Sequence, residues 1–286
     1  MLNEYAPLKK VALRHVKDAF LGPDKLAAEW QQLNYHRQPD FAAALAEYDA
    51  FAEILESAGA EIVWLPGNET LTLDSIYVRD ATALTPLGFV PCPLGKDARR
   101  PEAEIAAAHY AGEALAQAGS LPEGARLEGG DMVWLDEKTC AIGEGYRTNA
   151  QAIEAFTALC GPEVEVVSVP LPHYKGPSDV FHLMSMISPL DADLAVVYSP
   201  LLPVPFRNWL LERGMSFVEV PDEEFASMAC NVLALGPRRV LMLEGNPVTQ
   251  QRIEAAGCEV LTYRGEEISR KGEGGPTCLT RPLERG

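Results

Sequence analysis

The chain has few basic side chains for its length. Its 286 residues include 24 lysines and arginines against 41 aspartates and glutamates, which gives a formal net charge of -17. A field of this sign repels the phosphates of nucleic acids and of anionic lipid surfaces. The composition therefore argues against nucleic acid and membrane partners, and it favours a small cationic ligand.

Long apolar runs are also missing. No stretch approaches the roughly 20 apolar residues that span a bilayer, and residues 1–5 lack the basic and apolar regions of a secretory signal. We therefore expect a cytoplasmic protein. Its hydrophobic content of 47% is enough for a sizeable core.

Cofactor motifs are missing as well. The six cysteines form no CxxC pair and the five histidines form no HxxxH or HExxH pair, which are the spacings of many zinc sites. Neither GxGxxG nor GxxxxGK[ST] occurs, so nucleotide binding has no support. The sequence predicts no metal and no cofactor.

One unit does recur: a helix, a glycine that ends it, and a short apolar strand. The predicted helices cover residues 41–58, 102–118, 149–160, 205–213 and 247–256. Apolar runs follow four of them at 62–65, 164–167, 217–220 and 260–263, whereas 120–126 is polar. Such recurrence suggests an array or a closed ring, with an ordinary open α/β sheet as the alternative. No linker of low complexity divides the chain, so we expect one domain over residues 1–286.

Cys278 is the first candidate for chemistry. It lies within residues 274–283, GGPTCLTRPL, between a glycine-rich turn and a short β-prone stretch. That context can hold a thiol at a strand end facing a cleft. The alternative is a small buried apolar side chain, as free cysteines often are.

Three further segments place charged or ionisable groups at apolar runs. Asp80 ends an alternating segment, 74–80, that predicts a strand, and Asp74 begins it. Glu128 and Asp131 bracket two glycines before an apolar run, and His182 lies inside another. A solvated strand end, an acidic turn and a core histidine are the corresponding structural alternatives. Beside a nucleophilic cysteine, however, a histidine is the natural partner for proton transfer.

Two arginines precede predicted helices. Arg99 comes shortly before the second helix and Arg147 before the third. Arginine in such a place can bind a substrate carboxylate with two hydrogen bonds. Surface charge and helix capping are the alternatives.

Taken together these motifs resemble a known superfamily. They are DSIYVRD at 74–80, ARRPE at 98–102, LEGGD at 127–131, RTN at 147–149, FHL at 181–183 and GGPTCLTRPL at 274–283. Their order and identity are similar to those of the guanidine-modifying enzymes (the amidinotransferase or pentein superfamily), closest to the dimethylarginine dimethylaminohydrolases. The resemblance implies an α/β fold of five blades, a propeller with pseudo-fivefold symmetry.

The resemblance also implies roles for the residues. Cys278 corresponds to the nucleophile and His182 to the general acid/base, while Glu128 and Asp80 correspond to the carboxylates that hold the guanidinium. Arg99 and Arg147 match positions that take the substrate's α-carboxylate. The remaining substrate-binding candidates are Asp74 and Asp131. The implied reaction is hydrolysis of an N-methylated arginine to citrulline and an alkylamine, through a covalent thiouronium intermediate.

Other readings stay open. Met184 stands two positions after His182, where arginine deiminases and amidinotransferases usually have an acid. This favours a hydrolase of alkylated guanidines over an arginine deiminase or dihydrolase, and over an amidinotransferase. A non-catalytic propeller that binds a ribosomal subunit is the remote alternative, and it fits poorly with the net charge. A homodimer is also left open.

Overall fold

Five small β-sheets with helices between them make up the protein. The computed structural model describes residues 1–179 and 181–286. The strands are β1 (Leu8–Leu13), β2 (Glu61–Trp64), β3 (Thr82–Thr85), β4 (Gly88–Pro91), β5 (Met132–Asp136), β6 (Thr139–Glu144), β7 (Glu165–Pro170), β8 (Ile187–Asp191), β9 (Leu194–Val197), β10 (Ser216–Glu219), β11 (Val232–Gly236), β12 (Arg239–Leu243), β13 (Glu259–Tyr263) and β14 (Arg281–Arg285).

The α-helices connect these strands. They are α1 (Val16–Ala19), α2 (Pro23–Glu29), α3 (Phe41–Ser57), α4 (Pro101–Gly112), α5 (Ala150–Cys160), α6 (Val204–Glu212), α7 (Asp222–Phe225) and α8 (Pro247–Ala255). Short 3₁₀ helices cover Leu73–Ile76, Asp97–Arg99, Gly129–Asp131, Leu183–Ser185 and Ser199–Leu201, and a π-helix covers Glu266–Arg270. None of the helices in the described residues is long and apolar enough to cross a membrane.

Three sheets share one construction: β5–β6–β7, β8–β9–β10 and β11–β12–β13. In each, an antiparallel hairpin is followed by a helix and by a strand parallel to the second hairpin strand. The sheet β14–β1–β2 repeats this geometry with strands that are distant in sequence, because β14 pairs antiparallel with β1. The α/β class is confirmed. Closure of the five sheets into a propeller stays a prediction.

The helix α3 shows how the sequence defines these elements. The side chain of Asp40 accepts a hydrogen bond from Ala43 N at 2.8 Å and so caps the helix. Its apolar face, which includes Tyr48, is buried. Gly59 follows with a φ of 97°, a conformation that favours glycine. The helices predicted over 149–160, 205–213 and 247–256 are likewise found, within one residue at each end.

The second unit departs from its prediction. The helix predicted over 102–118 ends at Gly112, because Ala114 adopts a left-handed φ of 58° and Leu115 N turns back to Tyr110 O at 3.0 Å. No strand occupies 120–126 in the described chain. The sheet β3–β4 therefore has two strands. A single β-bridge between Phe89 and Gln117 takes the place of a third strand.

The strand predicted over 74–80 is also wrong. Its first residues form the 3₁₀ helix Leu73–Ile76. The carbonyl of Ser75 accepts from Arg14 Nη1 at 2.7 Å instead of from a neighbouring strand, and Tyr77 N bonds back to Asp74 O at 2.9 Å. Asp80 consequently lies in a turn before β3.

Candidate active site

A candidate site residue precedes the first strand of every sheet. Asp80 comes before β3, Glu128 before β5, His182 before β8, Asn231 before β11 and Cys278 before β14. The sheets are similarly built, so the five turns before these strands lie close to one another. Asp80, His182 and Cys278 line one cleft of about 480 Å³, a size typical of small-molecule sites.

Cys278 is the half-buried cysteine of the six, and the other five are buried. Its Sγ accepts a hydrogen bond from Asn231 Nδ2 at 3.3 Å. Gly275 allows this approach, since a Cβ there would lie 2.5 Å from Asn231 Cγ. Desolvation, followed by the negative charge of Asp80, raises the pKa of the Cys278 thiol. The raised pKa favours the neutral thiol over the thiolate.

His182 and Glu128 form a buried pair, with Nε2 and Oε2 2.7 Å apart. Burial alone would lower the pKa of His182, but the nearby carboxylates of Asp80, Asp131 and Glu128 outweigh it and raise the pKa to about 9. Burial would raise the pKa of Glu128, and the hydrogen bond and charge of His182 outweigh it and lower that pKa. At neutral pH the pair is an imidazolium held by a carboxylate, so His182 has a proton to give.

Asp80 is held in place from two sides. Its Oδ1 accepts from Gly130 N at 2.9 Å and its Oδ2 from Arg99 Nη1 at 2.7 Å. A carboxylate can accept about four hydrogen bonds, so Asp80 keeps capacity for a cationic ligand. Gly130 itself has no room for a side chain, because a Cβ would lie 2.6 Å from His182 Nδ1 and 2.9 Å from Asp80 Oδ1.

The Arg99 side chain is more buried than the predicted binding of a substrate carboxylate requires. Its Nε and Nη2 donate to the carboxylate of Glu102, both at 2.8 Å, and Nη2 also donates to Tyr77 O at 2.8 Å. With Nη1 on Asp80, its side chain is 4% exposed. These contacts make Arg99 a support for Asp80. Its predicted binding of a substrate carboxylate stays a prediction.

Arg147 is placed differently. It lines the cleft, and its Nη1 lies 3.3 and 3.2 Å from the two oxygens of Glu128. Its Nη2 reaches the carbonyl of Asp179 at 3.4 Å. These hydrogen bonds lie at or beyond the long end of the usual range. Arg147 thus faces the cleft while it pairs with the buried carboxylate of Glu128.

Asp74 and Asp131 occupy contrasting positions. Asp74 lines the cleft but is paired with Lys96, whose Nζ is 2.5 Å from Oδ2. Asp131 is fully buried, and its carboxylate accepts from Thr148 Oγ1 at 2.6 Å and from Leu183 N at 3.0 Å. Burial raises the pKa of Asp131 to about 6. These contacts connect Asp131 to Thr148 and to the segment after His182. Its predicted contact with substrate stays a prediction.

A second cavity of about 90 Å³ adjoins the reactive groups. Cys278 and His182 border both cavities. The lining of the side cavity is mixed: Phe181, Phe225 and Met228 are apolar, and its charged and polar members are Lys175, Asp179, Ser185, Asn231 and Glu273. Met184 was expected to influence the guanidinium site. Instead it is 3% exposed and packs within a hydrophobic cluster, and it is not among the described residues that line either cavity.

Asp80, Glu128 and His182 also form the one group in the described residues that could hold a metal ion, with ligand atoms within 4.8 Å of one another. The donor set fits a metal poorly. His182 is protonated at neutral pH, and both carboxylates already accept from arginines. A planar organic cation fits these hydrogen-bond acceptors better.

Two residues of the site escaped prediction from the sequence. Asn231 contacts the nucleophile, and the signal that could have found it is its place directly before the first strand of a repeated sheet. Lys96 pairs with Asp74 inside the cleft. A lysine in a loop gives no signal of this kind in sequence.

Comparisons with known proteins agree with this geometry. A sequence model of the family described as N,N dimethylarginine dimethylhydrolase, eukaryotic, matches residues 25–285. The N(G),N(G)-dimethylarginine dimethylaminohydrolase of Pseudomonas aeruginosa (strain PAO1) is 26% identical over 247 residues, which cover 85% of this chain and 89% of that protein. An arginine deiminase of Mycobacterium avium is 28% identical over 193 residues, which cover 56% of this chain and 47% of that protein.

A solved structure extends the comparison to the fold. The Pseudomonas aeruginosa dimethylarginine dimethylaminohydrolase, as a cysteine-to-serine mutant complexed with citrulline, superposes with a TM-score of 0.77. The match has 23% sequence identity and covers 96% of this chain and 98% of that chain. It shows that the two chains share a fold.

Proposed function

The chain belongs to the N,N-dimethylarginine dimethylhydrolase family and is a guanidino-group hydrolase; on this premise we propose that it hydrolyses N-methylated arginine to citrulline and an alkylamine. The observation that carries the proposal is the joint placement of Cys278, His182 and Asp80 around one cleft, with Glu128 behind His182. These groups supply a nucleophile, a proton donor and a guanidinium acceptor. We further propose that residues 1–286 form one catalytic domain, with the five sheets as the blades of an α/β propeller.

Substrate binding and activation of the thiol are linked. Asp80 has acceptor capacity for the N–H groups of a guanidinium, and Glu128 adds negative charge beside it. A cation in this position favours the Cys278 thiolate, whose pKa is raised in its absence. The thiol proton leaves to solvent, since His182 is already protonated. The enzyme is therefore reactive chiefly when the substrate is bound.

The chemical steps use these charges in turn. The thiolate attacks the central guanidinium carbon, and His182 donates its proton to the departing amine as the carbon–nitrogen bond breaks. This leaves a thiouronium on Cys278 and a neutral imidazole. The imidazole then removes a proton from water, and the hydroxide adds to the same carbon. The carbon–sulfur bond breaks, the departing Cys278 thiolate takes the hydroxyl proton, and citrulline is released. Cys278 is again a thiol and His182 is again protonated, while the released amine takes up a proton from solvent.

The side cavity supports an alkylated substrate. Its apolar walls, Phe181, Phe225 and Met228, begin beside Cys278 and His182. A methyl substituent on the leaving nitrogen gains by contacting these apolar side chains. The acceptors Asp179, Ser185 and Glu273 also line the cavity, so it admits an unsubstituted NH₂ group as well. The apolar contacts are what favours methylated arginine.

Arginine deiminase or dihydrolase activity is the second candidate. The similarity to the Mycobacterium avium deiminase favours it, and Met184 no longer argues against it because that side chain lies in the core. An amidinotransferase would require an amine in place of the attacking water.

The test is to incubate the protein with arginine, monomethylarginine and asymmetric dimethylarginine, and to identify the products by mass spectrometry. We expect citrulline with methylamine or dimethylamine from the native protein, none from Cys278→Ser, and native behaviour from the control Cys258→Ser. Citrulline from arginine alone would establish a deiminase. Turnover that survives in Cys278→Ser would refute the assignment of the nucleophile.

A further inference from the structure

A small cavity lined by buried arginines lies next to the cleft, and the two are separated by the backbone at residues 79 and 80. Its volume is about 20 Å³, and its lining includes Glu4, Arg79, Arg281 and Arg285. The three arginines are 1–4% exposed. Arg79 directly precedes Asp80, so one dipeptide contributes to both the cleft and this cavity.

The arginines donate hydrogen bonds to several backbone carbonyls, but some of their N–H groups have no acceptor. Arg281 Nη2 donates to Arg79 O at 2.6 Å, and Arg285 Nη1 donates to Ala6 O and Ala234 O at 2.7 and 2.9 Å. Four buried nitrogens have no hydrogen-bond partner: Arg79 Nη2, Arg281 Nε, Arg285 Nε and Arg285 Nη2. Buried donors are nearly always paired, so these four indicate a ligand that accepts hydrogen bonds.

The charges of the cavity lining do not balance. Within the described chain, Glu4 is the buried carboxylate among these arginines, and its oxygens are 3.3 and 3.5 Å from Arg79 Nη1. Burial lowers the pKa of Arg281 and of Arg285 to about 10, so both remain charged at neutral pH. The second carboxylate of the lining, Glu284, is exposed to solvent. Among the buried groups, three guanidinium groups against one carboxylate leave an excess of two positive charges. Buried charge without a counterion is strongly unfavourable.

We propose that this cavity binds a small monovalent inorganic anion, of the size of chloride, between Arg79, Arg281 and Arg285. A cavity of about 20 Å³ has room for one water molecule or one small ion. An anion there supplies both the missing negative charge and the missing acceptor. The assignment stands on this cavity alone and does not depend on the proposed reaction.

The anion would also brace the nucleophile. Arg79 N donates to Cys278 O at 3.2 Å, and Arg79 Nε donates to Thr277 O at 3.0 Å. Neutralising the repulsion among the arginines keeps Arg79 in this position. The turn that carries Cys278 is therefore expected to be firmer when the anion is bound.

Crystals grown in sodium bromide provide the direct test. We expect an anomalous peak in the cavity, within hydrogen-bond distance of the unpaired arginine nitrogens. The proposal is overturned if the cavity holds only water in crystals grown at a bromide concentration above about 100 mM. This experiment uses the native chain and needs no variant to fold.

Thermal unfolding supplies a second, independent readout. Sodium chloride is compared at equal concentrations with sodium methanesulfonate, whose organic anion is larger than chloride. We expect a saturable rise in Tm of about 2–4 °C that is specific to chloride, and its loss in Arg285→Met. The control Arg213→Met, which alters an exposed ion pair, should keep the chloride effect. Equal responses to both salts in the native protein would contradict the proposal.

Discussion

Asn231 should hold the nucleophile in its reactive state. Its Nδ2–H group donates to Cys278 Sγ at 3.3 Å, and this hydrogen bond opposes the desolvation that raises the pKa of the thiol. Asn231→Leu keeps the side-chain volume but removes the donor. We therefore expect a higher pKa for Cys278 and slower reaction of its thiol at neutral pH.

The size of the effect follows from the charge of the acceptor. A hydrogen bond to a charged group contributes about 1.5–3 kcal/mol, and about 1.4 kcal/mol corresponds to a tenfold change in an equilibrium. Loss of this bond should thus lower the thiolate fraction at neutral pH about 10- to 100-fold. The rate of alkylation by iodoacetamide, followed by mass spectrometry of the Cys278 peptide across a pH series, measures that fraction.

A matched variant separates charge stabilisation from anchoring. Asn231 Oδ1 also accepts from Thr277 N and Thr277 Oγ1, at 3.0 and 2.9 Å. Thr277→Val removes the second of these contacts and a longer one between Thr277 Oγ1 and Cys278 Sγ at 4.0 Å, which also lowers the pKa of the thiol, but it leaves the Asn231 donor on Sγ. Its alkylation should therefore slow less than that of Asn231→Leu. An unchanged profile in a folded Asn231→Leu protein would refute the reasoning.

Two further predictions concern the histidine pair and the glycine beside it. The pKa of His182 rises from 6.5 to about 9 in the fold, so its bound proton stabilises the protein fully below pH 6.5, and this contribution is lost as the pH rises through 9. Glu128→Gln should flatten the corresponding fall in Tm, and an equal fall in both proteins would show that Glu128 does not hold the proton. Gly130→Ala should lower kcat/KM by at least about 100-fold, because the new Cβ displaces His182 and Asp80. Gly112→Ala, where nothing lies within 4 Å of the added Cβ, should have native activity, and similar kinetics in the two variants would contradict the steric argument.

The helices could be predicted from sequence because their signals are local. Asp40 caps α3, Asn149 caps α5 with a bond to Ala152 N at 3.1 Å, and glycines such as Gly59 follow their ends. The candidate site was found through residue types that carry chemistry. Cys278 and His182 do line one cleft, although their predicted roles await experiment.

The errors arose where tertiary contacts override local pattern. The alternation at 74–80 suggests a strand, but Arg14, which is distant in sequence, takes the carbonyl of Ser75. The sequence also does not distinguish the surroundings of Glu128 and Asp131, because both flank the same glycines. Packing shows that Glu128 contacts His182 and that Asp131 contacts Thr148. Asn231 was missed because a neutral amide is not itself a sign of catalysis, and the sequence does not show that it contacts Cys278.

The pairing of β1 with β14 sets the order of events during synthesis. Leu8 is translated before the other four sheets, and its partner Arg285 emerges only after them. Until then β1 presents an unpaired edge, and such edges favour association between chains. The turn that carries Cys278 is completed by the same late strand. A nascent chain that lacks β14 therefore has no complete cleft, and we expect its aggregation to be most sensitive to temperature and to chaperones before β14 emerges.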